Sequence, residues 1–229
     1  PKKSEAVPGL IENLSFSDIP KRALSEETLR LYGYGFGKYK GRTCHVAPIK
    51  DHACQVVAQK LRFPGKEFKM LGQGSTNTLF GRHLIRDGGK ILVVTEGEID
   101  AMSVAQAQAL RYPAVSVPRG AQSAPKVIAQ NIELLERFQS VVFMFDMDEP
   151  GQTAARECAE LLSPGKAKIA SLPRKDPNEM LVAGENAKII RAIFDAKEYR
   201  PDGVLNASDL EELIYEFEEK GIDYPYIGI

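Results

Sequence analysis

The chain has 229 residues, 43% of them hydrophobic, with 30 Lys and Arg against 31 Asp and Glu for a net charge of -1. These values suit a globular protein of one large or two small domains, and they exclude a protein that coats nucleic acid through bulk positive charge. Three scattered cysteines, Cys44, Cys54 and Cys158, form no C-x-x-C pair, which argues against a disulfide framework or a zinc knuckle. No apolar run nears the roughly 20 residues of a membrane span, and PKKSEAVPGLIENL lacks the apolar centre of a signal peptide. The expectation is a protein of a reducing, cytoplasm-like compartment with no membrane partner. With Pro1 in place of an initiating Met, it is expected to be a piece of something longer.

In chain order, Ser25 stands as a cap before EETLRLY and predicts a short helix. YGYGFGKYKGR reads as Gly-rich turns and CQVVAQKLRF as a strand, so residues 1–88 are expected to form a small, mostly antiparallel α+β lobe. Alternation along QKLRF puts Lys60 and Arg62 on one strand face. With Lys66, Lys69 and, further on, Arg82, they suggest a local basic groove suited to phosphates, or else a strand edge guarded by lysines. Phe63 and Phe68 interleave with these charges and suit either base stacking or burial within the lobe.

From residue 89 onward apolar strands and helices alternate: KILVVTE, EIDAMSVAQAQAL, AVSVP, APKVIAQNIELLERF, SVVFMFD, PGQTAARECAELL and AKIASLP. Strands apolar throughout and separated by helices predict a parallel sheet covered on both faces over 89–200, hence an α/β fold. After Pro201 and Gly203, residues 201–229 hold ASDLEELIYEFEEKG, with Leu210, Leu213, Ile214 and Phe217 at the spacing of an amphipathic helix.

Acids cluster where these strands end. Glu96 closes the first strand of the series, and Asp100 follows it by one helical turn. Asp146 and Asp148 tip a later strand two residues apart, and Asp176 with Glu179 follows the next one. Glu98 and Glu149, by contrast, read as first-turn helix residues, with Glu98 pointing away from the crevice. Parallel sheets bind ligands beyond the carboxyl ends of their strands, and like charges gathered there repel unless a cation neutralises them. All-oxygen donors favour Mg²⁺ or Mn²⁺ and a phosphoryl or nucleotidyl chemistry. His45, His52 and His83 are isolated, and no phosphate-binding Walker loop is present.

TEGEID followed by FDMDEPG resembles the Toprim signature shared by primases, topoisomerases and some nucleases. With KEFKMLGQGSTNTLFGRHL upstream, PRGA at 118–121 and LPRKDPNE at 172–179, the chain is similar to the primase half of bacteriophage-type bifunctional primase-helicases and their mitochondrial relative Twinkle. The resemblance implies a Toprim-type parallel sheet flanked by helices (89–200), a small mixed α+β basic lobe before it (1–88) and a linker with a helix toward a helicase domain (201–229). It implies Glu96, Asp100, Asp146, Asp148 and Asp176 as catalytic, with Glu96, Asp146, Asp148 and Asp176 holding two divalent ions. Lys60, Arg62, Lys69, Arg82, Arg119 and Lys175 would contact nucleotide or template.

The activity implied is RNA primer synthesis on single-stranded DNA from ribonucleoside triphosphates. Implied partners are a ring-forming helicase domain of the same longer chain, a DNA polymerase and a zinc-binding module in cis. Complete relatives carry that module on four cysteines, which this chain lacks, so zinc is not expected here. The host cytoplasm is the expected location, with the mitochondrial matrix as the alternative. The rival readings are a Toprim nuclease that cleaves DNA and a non-catalytic, Twinkle-like domain that binds DNA beside a helicase.

Overall fold

The computed structural model describes residues 9–65, 67–72, 77–200 and 214–215. Ser25 starts α1 (Glu26–Tyr32) by accepting a hydrogen bond from the Thr28 amide at 3.3 Å, and Gly33 ends it in a left-handed conformation. Four antiparallel strands follow in chain order: β1 (Gly35–Tyr39), β2 (Arg42–Lys50), β3 (Val56–Arg62) and β4 (Phe68–Gly72). The stretch expected as Gly-rich turns is therefore largely a strand. Its glycines serve packing: Ser15 and Phe36 exchange backbone hydrogen bonds at 2.9 and 2.8 Å, laying the preceding segment across β1. A Cβ on Gly35 would stand 2.9 Å from both Leu14 Cβ and the Ser15 carbonyl.

The second sheet is built from β5 (Gly89–Thr95), β6 (Val115–Ser116), β7 (Phe138–Met144), β8 (Ala167–Ile169) and β9 (Lys197–Glu198). Their order is β6-β5-β7-β8-β9, parallel except for the antiparallel edge strand β9. Between them lie α2 (Glu98–Ala107), α3 (Ala124–Gln130), α4 (Ile132–Leu135), α5 (Glu149–Ala159), α6 (Pro177–Val182) and α7 (Asn186–Phe194). The single helix expected over APKVIAQNIELLERF is split into α3 and α4 at Asn131. That side chain donates to the Val127 carbonyl at 2.7 Å and to Asn77 at 2.9 Å, drawing the backbone out of helical register.

Alternate residues of β5 and β7 enter opposite cores, which is why both strands read as unbroken apolar runs. Val93, Val142 and Met144 face one cluster, and Leu92, Val94, Val141 and Phe143 the other. The first cluster also takes Leu24, Leu29, Tyr32, Tyr34 and Ala47 from the small lobe. The two sheets thus share a core within one compact unit ending at Tyr199. Of the expected C-terminal amphipathic helix, only Ile214 and Tyr215 are described, helical and exposed; Leu210, Leu213 and Phe217 lie outside the described residues.

Candidate active site

The chain leaves β5 for β6 on one side and reaches β7 on the other, so the gap between β5 and β7 is the switch point of the sheet. Glu96 stands at the mouth of that gap on the β5 side, and Asp146 and Asp148 stand there on the β7 side. Burial, then the negative charges of Asp146 and Asp148, raise the Glu96 carboxyl above its ordinary pKa. The Ala121 amide offsets this in part by hydrogen bonding to it. Gly120 makes that bond reachable: with φ 76 and ψ -175 it takes a backbone shape closed to side-chain-bearing residues, which explains the glycine of PRGA.

Asp148 caps α5 by accepting from the Gly151 amide at 3.1 Å. Asp146 is half-buried; burial and then Asp176 push its carboxyl upward, while Lys175 pulls it down. Lys175 is an exposed side chain whose ammonium lies 3.4 Å from Asp146 Oδ2 and 3.3 Å from Asp148 Oδ2. The hydrogen bond to Asp148 and the field of Asp146 raise its own pKa in turn. Residues 172–176 are laid against the aspartate loop by a 2.8 Å bond from the Met147 amide to the Lys175 carbonyl. Asp176 comes well after β8 has ended and caps α6, accepting from the Glu179 amide at 2.7 Å. Asp100, on the first turn of α2, is raised well above the usual carboxylate range by burial, then by Asp176 and Asp146.

Glu96, Asp100, Asp146, Asp148 and Asp176 therefore lie within one another's fields, with Asp146 felt by both Glu96 and Asp100. Hard carboxylate oxygens that repel one another at a strand-end crevice match a divalent cation in donor type and charge. Among the described residues no three His, Cys, Asp or Glu side chains already close on one point, and the Lys175 ammonium supplies the nearby positive charge.

The basic residues divide. Lys60 is nearly buried and bonds Glu98 at 2.8 and 3.1 Å. Glu98, expected as a first-turn helix residue pointing away from the crevice, is 8% exposed and anchors α2 to the small sheet. Arg82 turns back on Asp87 and on the Ile85 carbonyl. Arg62 and Lys69 lie against the aromatic rings of Phe68 and Tyr39, at 5.7 and 5.3 Å. Arg119 is exposed beside Gly120, while Lys66 lies outside the described residues.

Asn178 escaped the sequence reading. It is 1% exposed, and its side chain bonds the Arg22 guanidinium (3.0 Å), the Arg22 carbonyl (2.9 Å) and Ser103 Oγ (2.9 Å), while its amide reaches Asp100 at 3.4 Å. Its place within DPNE, directly after Asp176-Pro177, was the available signal.

Two family models match the chain. A Toprim-like model covers residues 93–181, and the N-terminal α+β fold of the bacteriophage T7 DNA helicase/primase covers 15–72. A DNA helicase/primase of Enterobacteria phage T3 is 40% identical over 204 residues, 89% of this chain but 36% of that protein, so the chain spans about a third of its length. The crystal structure of the primase fragment of the bacteriophage T7 primase-helicase superposes with a TM-score of 0.77 at 39% identity, covering 84% of this chain and 83% of the fragment. A second T7 structure holds primase domains of two subunits bound to an RNA/DNA hybrid and dTTP, interacting with the lagging-strand DNA polymerase. Its match has a TM-score of 0.76 at 39% identity and covers 81% of this chain and 94% of that one.

Proposed function

The chain belongs to the primase domains of bacteriophage-type primase-helicases, and from that premise we propose that it synthesises short RNA primers on single-stranded DNA for replication. The observation that carries this reading is the convergence of Glu96, Asp146 and Asp148 at the β5/β7 switch point, with Asp100 and Asp176 in the same field.

Mg²⁺ or Mn²⁺ ions held by Glu96, Asp146, Asp148 and Asp176 would supply activation of the priming 3′-hydroxyl and neutralisation of charge on the reacting phosphate and the leaving pyrophosphate. The chain itself contributes position. The Ala121 amide holds the Glu96 carboxyl, and the Met147–Lys175 backbone bond holds the aspartate loop and residues 172–176 together. Asp148 and Asp176 are fixed as helix caps. Lys175, an exposed cation beside both aspartates, is suited to meet a triphosphate, and Arg62, Lys69 and Arg119 to grip phosphates. The T7 complex with an RNA/DNA hybrid, dTTP and a polymerase supports single-stranded template, nucleoside triphosphates and a DNA polymerase as partners. The longer phage T3 relative supports a helicase domain on the same chain, and with it the host cytoplasm as the working compartment. Start-site recognition would fall to a zinc-binding module in cis.

The test is incubation with single-stranded DNA, labelled ribonucleotides and Mg²⁺ or Mn²⁺, with and without a supplied dinucleotide. Short RNA that depends on the dinucleotide and disappears in Asp146→Ala/Asp148→Ala is the expected result. Metal-dependent nicking of the DNA without RNA would transfer the chain to the nucleases.

A further inference from the structure

The pairing of the small sheet aligns Phe36, His45, Arg62 and Phe68 directly opposite one another on its four strands. Directly opposed residues share a face, so these side chains form one row across the sheet. The row begins inside and ends outside. Phe36 packs on the main core and meets His45 edge to face at 4.8 Å, and Tyr34 Oη bonds His45 Nδ1 at 3.1 Å. Beyond His45 the core stops, and Phe68, on the edge strand β4, is 50% exposed.

Two cations flank that exposed ring. Arg62 Cζ lies 5.7 Å from its centroid and Lys60 Nζ 5.2 Å, and the same Lys60 ammonium bonds Glu98 at the start of α2. Phe68 is therefore one side chain away from the helix that carries Asp100. Protection of a sheet edge from aggregation accounts for the exposed Lys69 of β4 but gives no reason for an exposed phenyl ring beside it. A ring open on one side, with cations at its margin and a path to an acidic catalytic centre, has the chemistry that receives an unstacked nucleobase and its phosphate.

We propose that Phe68, with Arg62 beside it, is a base-stacking shelf that holds one unpaired base of the single-stranded DNA template as the strand approaches the acids. The proposal rests on the primase reading of the site and adds to it a residue that positions template rather than one that reacts.

The test measures binding of the 229-residue chain to a short oligodeoxythymidylate at fixed ionic strength, beside strands carrying one abasic position moved along the sequence. The shelf requires a single register at which loss of the base weakens binding by about ten-fold. Phe68→Ala should bind the intact strand about ten-fold more weakly and no longer sense that register, while Phe68→Tyr should retain both properties. Phe68→Leu controls for loss of strand packing and should behave as Phe68→Ala. The shelf is overturned if Phe68→Ala binds as tightly as the parent, if it still senses the abasic register, or if the substitution alters only the KM for ribonucleotides. RNA synthesis by the parent chain, assayed in parallel, separates the two readings. Primers made with no Phe68 dependence would remove the shelf and leave the primase, whereas base-dependent binding through Phe68 without primers would do the reverse.

Discussion

Burial and like charge dominate the surroundings of Asp100. Its carboxyl is desolvated, faces Asp176 and Asp146, and accepts a long 3.4 Å bond from the Asn178 amide. A carboxyl whose folded pKa lies above its unfolded value loses its stabilising contribution as pH rises above about 4 toward the folded value. The metal-free chain should accordingly lose stability over that range, and Asp100→Asn should flatten the loss. The same substitution should raise the thermal midpoint at neutral pH by about 2–5 °C while lowering RNA synthesis. Thermal denaturation between pH 4 and 8 reads both slopes, and an unchanged slope would place the strain elsewhere. The five acids were legible in the sequence because each follows an apolar strand or opens the helix after one. Glu98 was not: its partner Lys60 lies 38 residues earlier on another sheet, and no local pattern signals such a pairing.

Among the elements, β5, α2, β7 and α5 follow directly from alternating apolar runs and caps, and β1 does not. Its glycines suggested turns because local propensity counts them as strand breakers, whereas packing uses their missing side chains to admit residues 11–16. Gly35→Ala should therefore destabilise the chain by about 1–3 kcal/mol through overpacking against Leu14 and the Ser15 carbonyl. Urea denaturation monitored by far-ultraviolet circular dichroism would show it, and an unaffected midpoint would mean that the crossing segment yields freely. Asn131 illustrates the same limit, since its helix-breaking bond to Asn77 spans 54 residues. The short edge strand β9 gave no apolar run to find, because both of its residues are exposed and polar.

At the scale of the whole molecule, the small antiparallel sheet is bound to the parallel one by shared apolar surface and by the Lys60–Glu98 pair. A pair this enclosed contributes little beyond what apolar residues would, but removing one member leaves a buried charge. Lys60→Met should cost about 3 kcal/mol, and Lys60→Met/Glu98→Leu should recover most of it. Chemical denaturation of the single and double variants at pH 7 decides this; equal losses in both would mean that the ammonium is needed for another contact. The composition of the two lobes was readable from the change in periodicity near residue 88. Their fusion was not, because one core assembled from Leu24 and Ile193 has no signature in any window of sequence.

The bond between Arg22 and Asn178 has a consequence for the birth of the protein. The two residues are 156 positions apart, and Asn178 also secures the helix that follows Asp176. A ribosome adding about 5–20 residues per second would leave Arg22 waiting roughly 8–30 s for its partner. Throughout that interval the shared core lacks Met180, Leu181, Ile189 and Ile193, and the acid cluster lacks its last member. Translation thus makes completion of the acid-lined crevice a late event, and a chain that stalls before α6 would present bare apolar surface to chaperones and proteases before the crevice was complete.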